Sequence, residues 1–212
     1  NDPNSIPENS VNKIYEDHLG VLWLFTDNDL FYYFSDTESF SFTHPLFQNH
    51  ILPSKINISS IINQNNSILW IANSQSGLYY YDIQQDSLKK FYDKNDLSIQ
   101  LTSEQITDMS IDSKGCLYVV NNRGCLDIID TKQMLVTDRI ETDILSKIVD
   151  DDPSFSVFID KDNHVWINSE RNGGGVIFIN SINKIQKHFD DDKNNGKISN
   201  PNISGILEDD EG

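Results

Sequence analysis

The chain has 212 residues, with 16 basic and 33 acidic side chains, a net charge of −17 and 37% hydrophobic residues. So negative a field repels phosphate backbones, which argues against nucleic acid as a partner. No apolar run approaches the roughly 20 residues of a membrane-spanning helix, and no signal-peptide core is visible, so these residues are expected to make no membrane contact themselves. Residues Asn1–Ser10 are polar and carry two prolines, which reads as a connection.

The first strand opens at Val11, and the stretch Asp17–Trp23 behind it keeps returning. Aligned without gaps, Asp17 falls on Gln64, Asp112, Asp160 and Asp209, at spacings of 47, 48, 48 and 49 residues. Gly20 falls on Ser67, Gly115, Asn163 and Gly212, and Trp23 on Trp70, Tyr118 and Trp166. Upstream, Ile14 matches Ile61, Met109, Val157 and Ile206, while Val11 matches Ile58, Ile106, Ser154 and Ile203. Columns held at so constant a period mark a repeat protein.

Each repeat has the same internal order. An apolar strand leads into Asp-x-x-Gly, where the Asp side chain accepts backbone N–H groups and Gly takes positive φ. Asn163 tolerates that conformation too, and Ser67 fits it less well. The aromatic sits in a second strand, predicted over Val21–Thr26, Ile68–Asn73, Cys116–Asn121 and Val165–Ser169. Third strands follow at Leu30–Phe34, Leu78–Ile83, Leu126–Asp130 and Val176–Asn180. Weaker fourth strands are predicted at Ser39–Thr43, Ser87–Tyr92, Gln133–Ile140 and Lys184–Phe189. Four strands in roughly 40–50 residues is the pattern of a β-propeller blade. The fold expected is therefore all-β. Blades cover about 11–43, 58–92, 106–140 and 155–189, and the first strand of a fifth covers 203–212. Four blades and a strand fall short of a ring of roughly six to eight, so a larger propeller is expected. Trp23, Trp70 and Trp166 are expected to wedge between neighbouring blades.

Longer polar connections lie at His44–Asn57, Asp93–Gln105, Glu141–Pro153 and Asp190–Asn202. The third carries a helical hint, with Thr142 as N-cap and Ile144, Leu145, Ile148 and Val149 on one side. Cys116 and Cys125 lie on consecutive strands, and a hairpin turning near Asn122–Arg123 puts Cys116 opposite a residue near Ile129. No disulfide is expected, and both cysteines read as small buried apolar residues.

The repeat, carried by Val11-Asn12-Lys13-Ile14-Tyr15-Glu16-Asp17, Leu22-Trp23, Gly77-Leu78 and Tyr81-Asp82, resembles the two-component regulator propeller repeat. Blade three departs from it with Tyr118 for Trp, and blade four with Asn163 for Gly. The resemblance implies the periplasmic sensor region of a hybrid two-component regulator of polysaccharide utilisation, in an inner-membrane protein. It implies an oligosaccharide ligand, partner blades and domains elsewhere in the same chain, and a histidine kinase outside these residues. A homodimer is an arrangement it leaves open.

No catalytic signature is found, and no cofactor or metal is expected. Gly173-Gly174-Gly175 leads into a strand and not into a helix, so it reads as a hairpin turn and not a phosphate cradle. Asp160-Lys161-Asp162-Asn163-His164 resembles the start of a calcium loop, but Arg171 stands where its twelfth-position Glu belongs. The histidines His18, His44, His50, His164 and His188 lack metal or nucleophile spacing and read as surface or turn residues. Asp17, Asp112 and Asp160 repeat with the fold, which favours a turn role over acid–base chemistry. The irregular turns between second and third strands are better ligand candidates: Asn28 with Asp27, Gln75, Arg123, and Arg171 with Glu170 and Asn172. Arg123 and Arg171 stand out because a guanidinium fork matches a carboxylate or sulfate. Two other functions stay open: a propeller-fold polysaccharide-processing enzyme, which needs paired acids on one rim, and a protein-interaction or dimerisation scaffold.

Overall fold

The computed structural model describes residues 5–6, 8–47, 49–50, 52, 57–91, 100–141, 154–169, 174–182, 184–190 and 198–209. They form four antiparallel four-stranded sheets, each with its strands in sequence order. The first sheet holds β1 (Val11–Glu16), β2 (Val21–Thr26), β3 (Leu30–Phe34) and β4 (Ser39–Ser41). The second holds β5 (Ile58–Gln64), β6 (Ile68–Asn73), β7 (Gly77–Asp82) and β8 (Ser87–Lys90). The third holds β9 (Ile106–Ile111), β10 (Cys116–Asn121), β11 (Leu126–Asp130) and β12 (Leu135–Ile140). The fourth holds β13 (Phe155–Ile159), β14 (Val165–Ser169), β15 (Val176–Ile179) and β16 (Gln186–Phe189). These are β-propeller blades, as the repeat predicts. A 3-10 helix at Pro45–Phe47 was not foreseen, and the helical hint at residues 142–149 lies outside the described residues.

Residues 1–90 and 91–212 are two compact units. In the first, Trp23, Phe25 and Tyr32 of sheet one share a core with Ile61, Leu69 and Ile71 of sheet two. In the second, Tyr118, Val120 and Leu126 share one with Phe155, Ile167 and Ile177. Of the aromatic column, Trp23 and Tyr118 thus share a core with the neighbouring blade of their unit, whereas Trp70 and Trp166 belong to neither core. Each large apolar side chain buried this way contributes about 1.5–3 kcal/mol.

Two columns behave differently from their gapless alignment. In the first three sheets the opening strand carries a β-bulge, at Val11/Lys13, at Ile58/Ser60 and opposite Val120/Asn121. The fourth sheet has none: Phe155 pairs with Ser169, the place that Ile58 and Ile106 take opposite Asn73 and Asn121. Phe155, and not Ser154, therefore fills the buried first position of blade four. At the first turn, Gly20, Gly115 and Asn163 have φ of 74°, 87° and 62°, each closing a type I turn with a left-handed residue. Blade two uses another solution. Asn65 and Asn66 both take φ of 52°, and Ser67 N–H bonds Gln64 O at 3.1 Å, a type I′ turn that spares Ser67 the left-handed conformation.

Of the stretch expected to open a fifth blade, residues 201–209 are described and carry no ladder pairing. They lie along blade four through Asn168 Nδ2 to Ile203 O (2.7 Å), Gly175 N to Pro201 O (3.0 Å) and Lys161 N to Glu208 Oε2 (2.8 Å). A strand needs a ladder partner, and side chains supply most of these bonds. Cys116 lies opposite Asp130 and Leu117 opposite Ile129, one place from the expected register. Both cysteines are free thiols; Cys125 is buried, whereas Cys116 is only half-buried, because it opens its strand beside the exposed turn.

Candidate functional site

A four-stranded meander has two ends. The turns after first and third strands share one, and the turns after second strands share the other with the connections between blades.

At the first end the repeated acid is the hub of its turn. Asp17 Oδ1 accepts the N–H groups of Leu19 (2.8 Å) and Val21 (3.1 Å), and Oδ2 accepts Trp23 Nε1–H at 2.9 Å. Asp160 repeats this with Asp162, His164 and Trp166, the last at 2.8 Å. Gln64 reaches Trp70 Nε1 at 2.8 Å with its amide oxygen, and Asp112 meets the Tyr118 hydroxyl at 3.4 Å. The acid and the aromatic six residues on are therefore one bonded pair. That partnership, invisible in either column alone, explains why both recur.

Blade one adds His44 to this hub. Its Nε2 lies 2.7 Å from Asp17 Oδ2, and its Nδ1 accepts Leu46 N–H at 3.2 Å. The acceptor role of Nδ1 leaves the ring proton on Nε2, donated to Asp17. Both side chains have 0% exposure, and the imidazole packs against Trp23, Tyr32 and Phe47. This corrects the expectation of a surface histidine: an apolar cage, with the carboxylate as its polar floor, holds the ring inside. Burial pushes the Asp17 carboxyl up, but the hydrogen bonds from His44, Trp23 and Leu19 outweigh it and hold it below the usual carboxylate range. His50, six residues further on, lies 2.8 Å from Asp86 Oδ1, an oxygen that also accepts the Tyr81 hydroxyl at 2.6 Å.

The other end carries the predicted ligand candidates. Each second strand finishes on a buried polar residue, Thr26, Asn73, Asn121 or Ser169, a signal present in the sequence but not used. Asn73 Oδ1 accepts the N–H groups of Gln75 and Ser76 at 2.9 Å, and Asn121 Oδ1 those of Arg123 (2.9 Å) and Cys125 (3.3 Å). Buried side chains thus shape the exposed turns. Gln75 Oε1 accepts Asn57 Nδ2–H at 3.1 Å, and Asn28 Nδ2 donates to Glu8 Oε2 at 3.3 Å, so both are tied to the connection beside them. Asp27 holds Asn12 at 2.8 Å. Arg123 stands exposed, with only its backbone N–H engaged among the described residues. Arg171, Asn172 and Glu170 lie outside the described residues. Gly175, at φ 66°, has no room for a side chain, since a Cβ would lie 2.1 Å from Phe189 O.

A crevice of about 650 Å3 lies at the opposite end of blade four, between Asp160, Trp166 and Glu208. Trp166 is half-buried there, unlike Trp23 and Trp70. Among the described residues no group of three or more His, Cys, Asp or Glu could hold a metal ion, and no helix is long and apolar enough to cross a membrane.

Comparison with known proteins fits this geometry. The family model of the two component regulator propeller matches residues 5–28, which contain β1, the first turn and β2. No curated protein matches the chain in sequence. Among solved structures, the extracellular domain of a protein described as a hybrid two component system of B. thetaiotaomicron superposes with TM-score 0.62 at 22% identity, over 88% of this chain and 24% of that one. The extracellular domain of one described as a one component system of the same organism gives 0.61 at 18%, over 92% and 26%. An auxiliary nutrient binding protein from Bacteroides thetaiotaomicron gives 0.57 at 14%, over 84% and 40%. The chain thus spans about a quarter of the length of the first two proteins it resembles. It is built of β-propeller blades, and its first blade carries the two component regulator propeller repeat.

Proposed function

We propose that this chain is extracytoplasmic, the periplasmic ligand-sensing propeller region of a hybrid two-component sensor that regulates polysaccharide use. In this role it binds an oligosaccharide signal and has no catalysis of its own. Further blades, the membrane anchor and the histidine kinase belong to the rest of the parent protein. The observation that carries the proposal is the regulator repeat at residues 5–28, set on a fold shared with extracellular domains of two-component proteins. The repeated acids support a non-catalytic role. Asp17 and Asp160 have both oxygens engaged by their own turn and indole, which leaves neither free as an acid–base pair.

The ligand candidates in this proposal are turns that follow second strands, with Asn28 and Gln75 in the first unit and Arg123 in the second; Arg171 and Asn172, outside the described residues, are proposed from the sequence alone. Loops held on a rigid scaffold are where binding residues concentrate, and Arg123 is the exposed fork on a turn set by Asn121. Calorimetry against neutral and acidic oligosaccharides, with a hydrolysis assay on the same panel, tests it. Saturable binding without turnover is expected. Arg123→Ala should weaken an acidic oligosaccharide by about 1–3 kcal/mol, the worth of a charged hydrogen bond. Turnover abolished by one carboxylate substitution would establish an enzyme instead.

A further inference from the structure

Position 127 breaks the repeat's own rule. Its equivalents, which pair with the same place in the second strand, are Phe31, Tyr79 and Ile177. Blade three has an aspartate there, 1% exposed. Burying a carboxylate where blades one and four bury Phe31 and Ile177 is unfavourable unless its lone pairs are filled. They are filled from two directions. Arg139, directly across on β12, donates Nε–H to Oδ1 at 2.7 Å. Thr102, in the connection entering the blade, donates its hydroxyl to Oδ1 (2.6 Å) and its N–H to Oδ2 (2.7 Å). Arg139 then reaches Gln100 O at 2.9 Å. The same connection meets the 121–125 turn, where Asn122 N–H bonds Gln105 O at 2.9 Å and Asn122 Nδ2 bonds Gln105 Oε1 at 2.6 Å. A local rule broken without gain to the core points to a role elsewhere.

We propose that Asp127 and Arg139 form a latch that holds residues 100–105 against the 121–125 turn, so that Gln105, Asn122 and Arg123 face a ligand as one preordered surface. Asp127 is a positioning residue: it touches no ligand and acts through Thr102 and Arg139. The ligand-facing part rests on the function proposed above, whereas the latch itself rests on these bonds alone. Preordering matters because a surface already fixed loses less freedom on binding.

The double variant Asp127→Ile with Arg139→His tests the latch, because it copies the Ile177–His188 pair that blade four already uses. Hydrogen exchange at Thr102, Gln105 and Asn122 is expected to speed up by about tenfold or more, the effect of losing hydrogen bonds to a charged group. The melting midpoint and the protection of β10 and β14 should hold. Unchanged exchange at 102–105, or protection lost alike across all the sheets, overturns the latch. Thr102→Val, which removes the hydroxyl bond to Asp127 but keeps the Thr102 N–H and Arg139 bonds, should give a smaller acceleration at the same place. Titration with tetragalacturonate as an acidic probe separates the two layers. Binding by the native chain that weakens about tenfold in the double variant supports presentation of the rim. Equal affinity in both overturns it. A native chain that does not bind the probe removes the acidic-ligand reading, and the exchange result then decides the latch by itself.

Discussion

Asp17 and Asp127 are both buried carboxylates, and they sit at opposite ends of their blades. Asp17 belongs to a column. Its turn N–H groups and its indole recur in blade four, and only His44 is particular to blade one. Asp127 belongs to no column, and its partners Thr102 and Arg139 come from a connection and an outer strand. The contrast separates two uses of a buried charge. One end of each blade repeats the bonds that make a blade. The other end repeats some bonds as well, from Asn73 and Asn121 to their turns and from Ser74 and Asn122 to the connections, and blade three adds to them the bonds of Asp127, which do not repeat.

The sharpest break of that contrast is removal of the acid. Asp17→Ala strips the partner from a buried imidazole N–H and a buried indole N–H together, and should cost about 2–6 kcal/mol, the sum for two buried donors left unpaired. Asp112→Ala, which removes the same turn bonds but only a 3.4 Å contact to Tyr118, should cost about 1–2 kcal/mol. Urea midpoints of the two variants measure the difference. Equal losses would mean that His44 adds nothing to the hub.

Acidity sharpens the same point with a smaller effect. The folded state holds the Asp17 carboxyl below its ordinary range despite burial, through His44, Trp23 and Leu19. A carboxyl lowered on folding adds stability above its unfolded value, near about 3.9, and loses it as pH falls through the folded value. The stability gap between the native chain and Asp17→Asn should therefore be full at neutral pH and shrink only below about pH 4. A gap that is unchanged down to about pH 2 would show that the charge of Asp17 is not what the hub uses.

How far the sequence could be read follows the same division. Every second strand was legible to the residue, because an apolar run held between two turns at a constant period admits one register. The bulge was not: a gapless alignment assigns Ser154 to a position that Phe155 fills, and an inserted residue leaves no trace in composition. His44 could not be matched to Asp17, since nothing local connects residues 27 apart. Nothing in the sequence marks Asp127, inside the predicted strand Leu126–Asp130, as buried or paired with Thr102. Asn28, Gln75 and Arg123 each lie on the turn after the second strand of their own blade, and Asn28 and Gln75 are bonded to connections whose course the sequence does not encode locally.

The smallest effect tests the turn column itself. Alignment places Ser67 under Gly20, so Ser67→Gly looks like a repair of blade two. The geometry says otherwise, because the positive φ values belong to Asn65 and Asn66. Ser67→Gly should lower stability by about 0.5–1 kcal/mol, since it loosens the unfolded chain without relieving any strain, and it removes the Ser67 Oγ bond to Gln64 O at 3.2 Å. Asn66→Gly converts Asn-Asn to the Asn-Gly that type I′ turns favour. It gives up an exposed bond from Asn63 Nδ2, 2.9 Å long and worth little in water. Relief of the left-handed residue should still leave a gain of about 0.5 kcal/mol. Opposite signs at adjacent positions, read from urea midpoints, would establish that blade two kept the hairpin while changing its turn. A gain at Ser67 would restore the simple column.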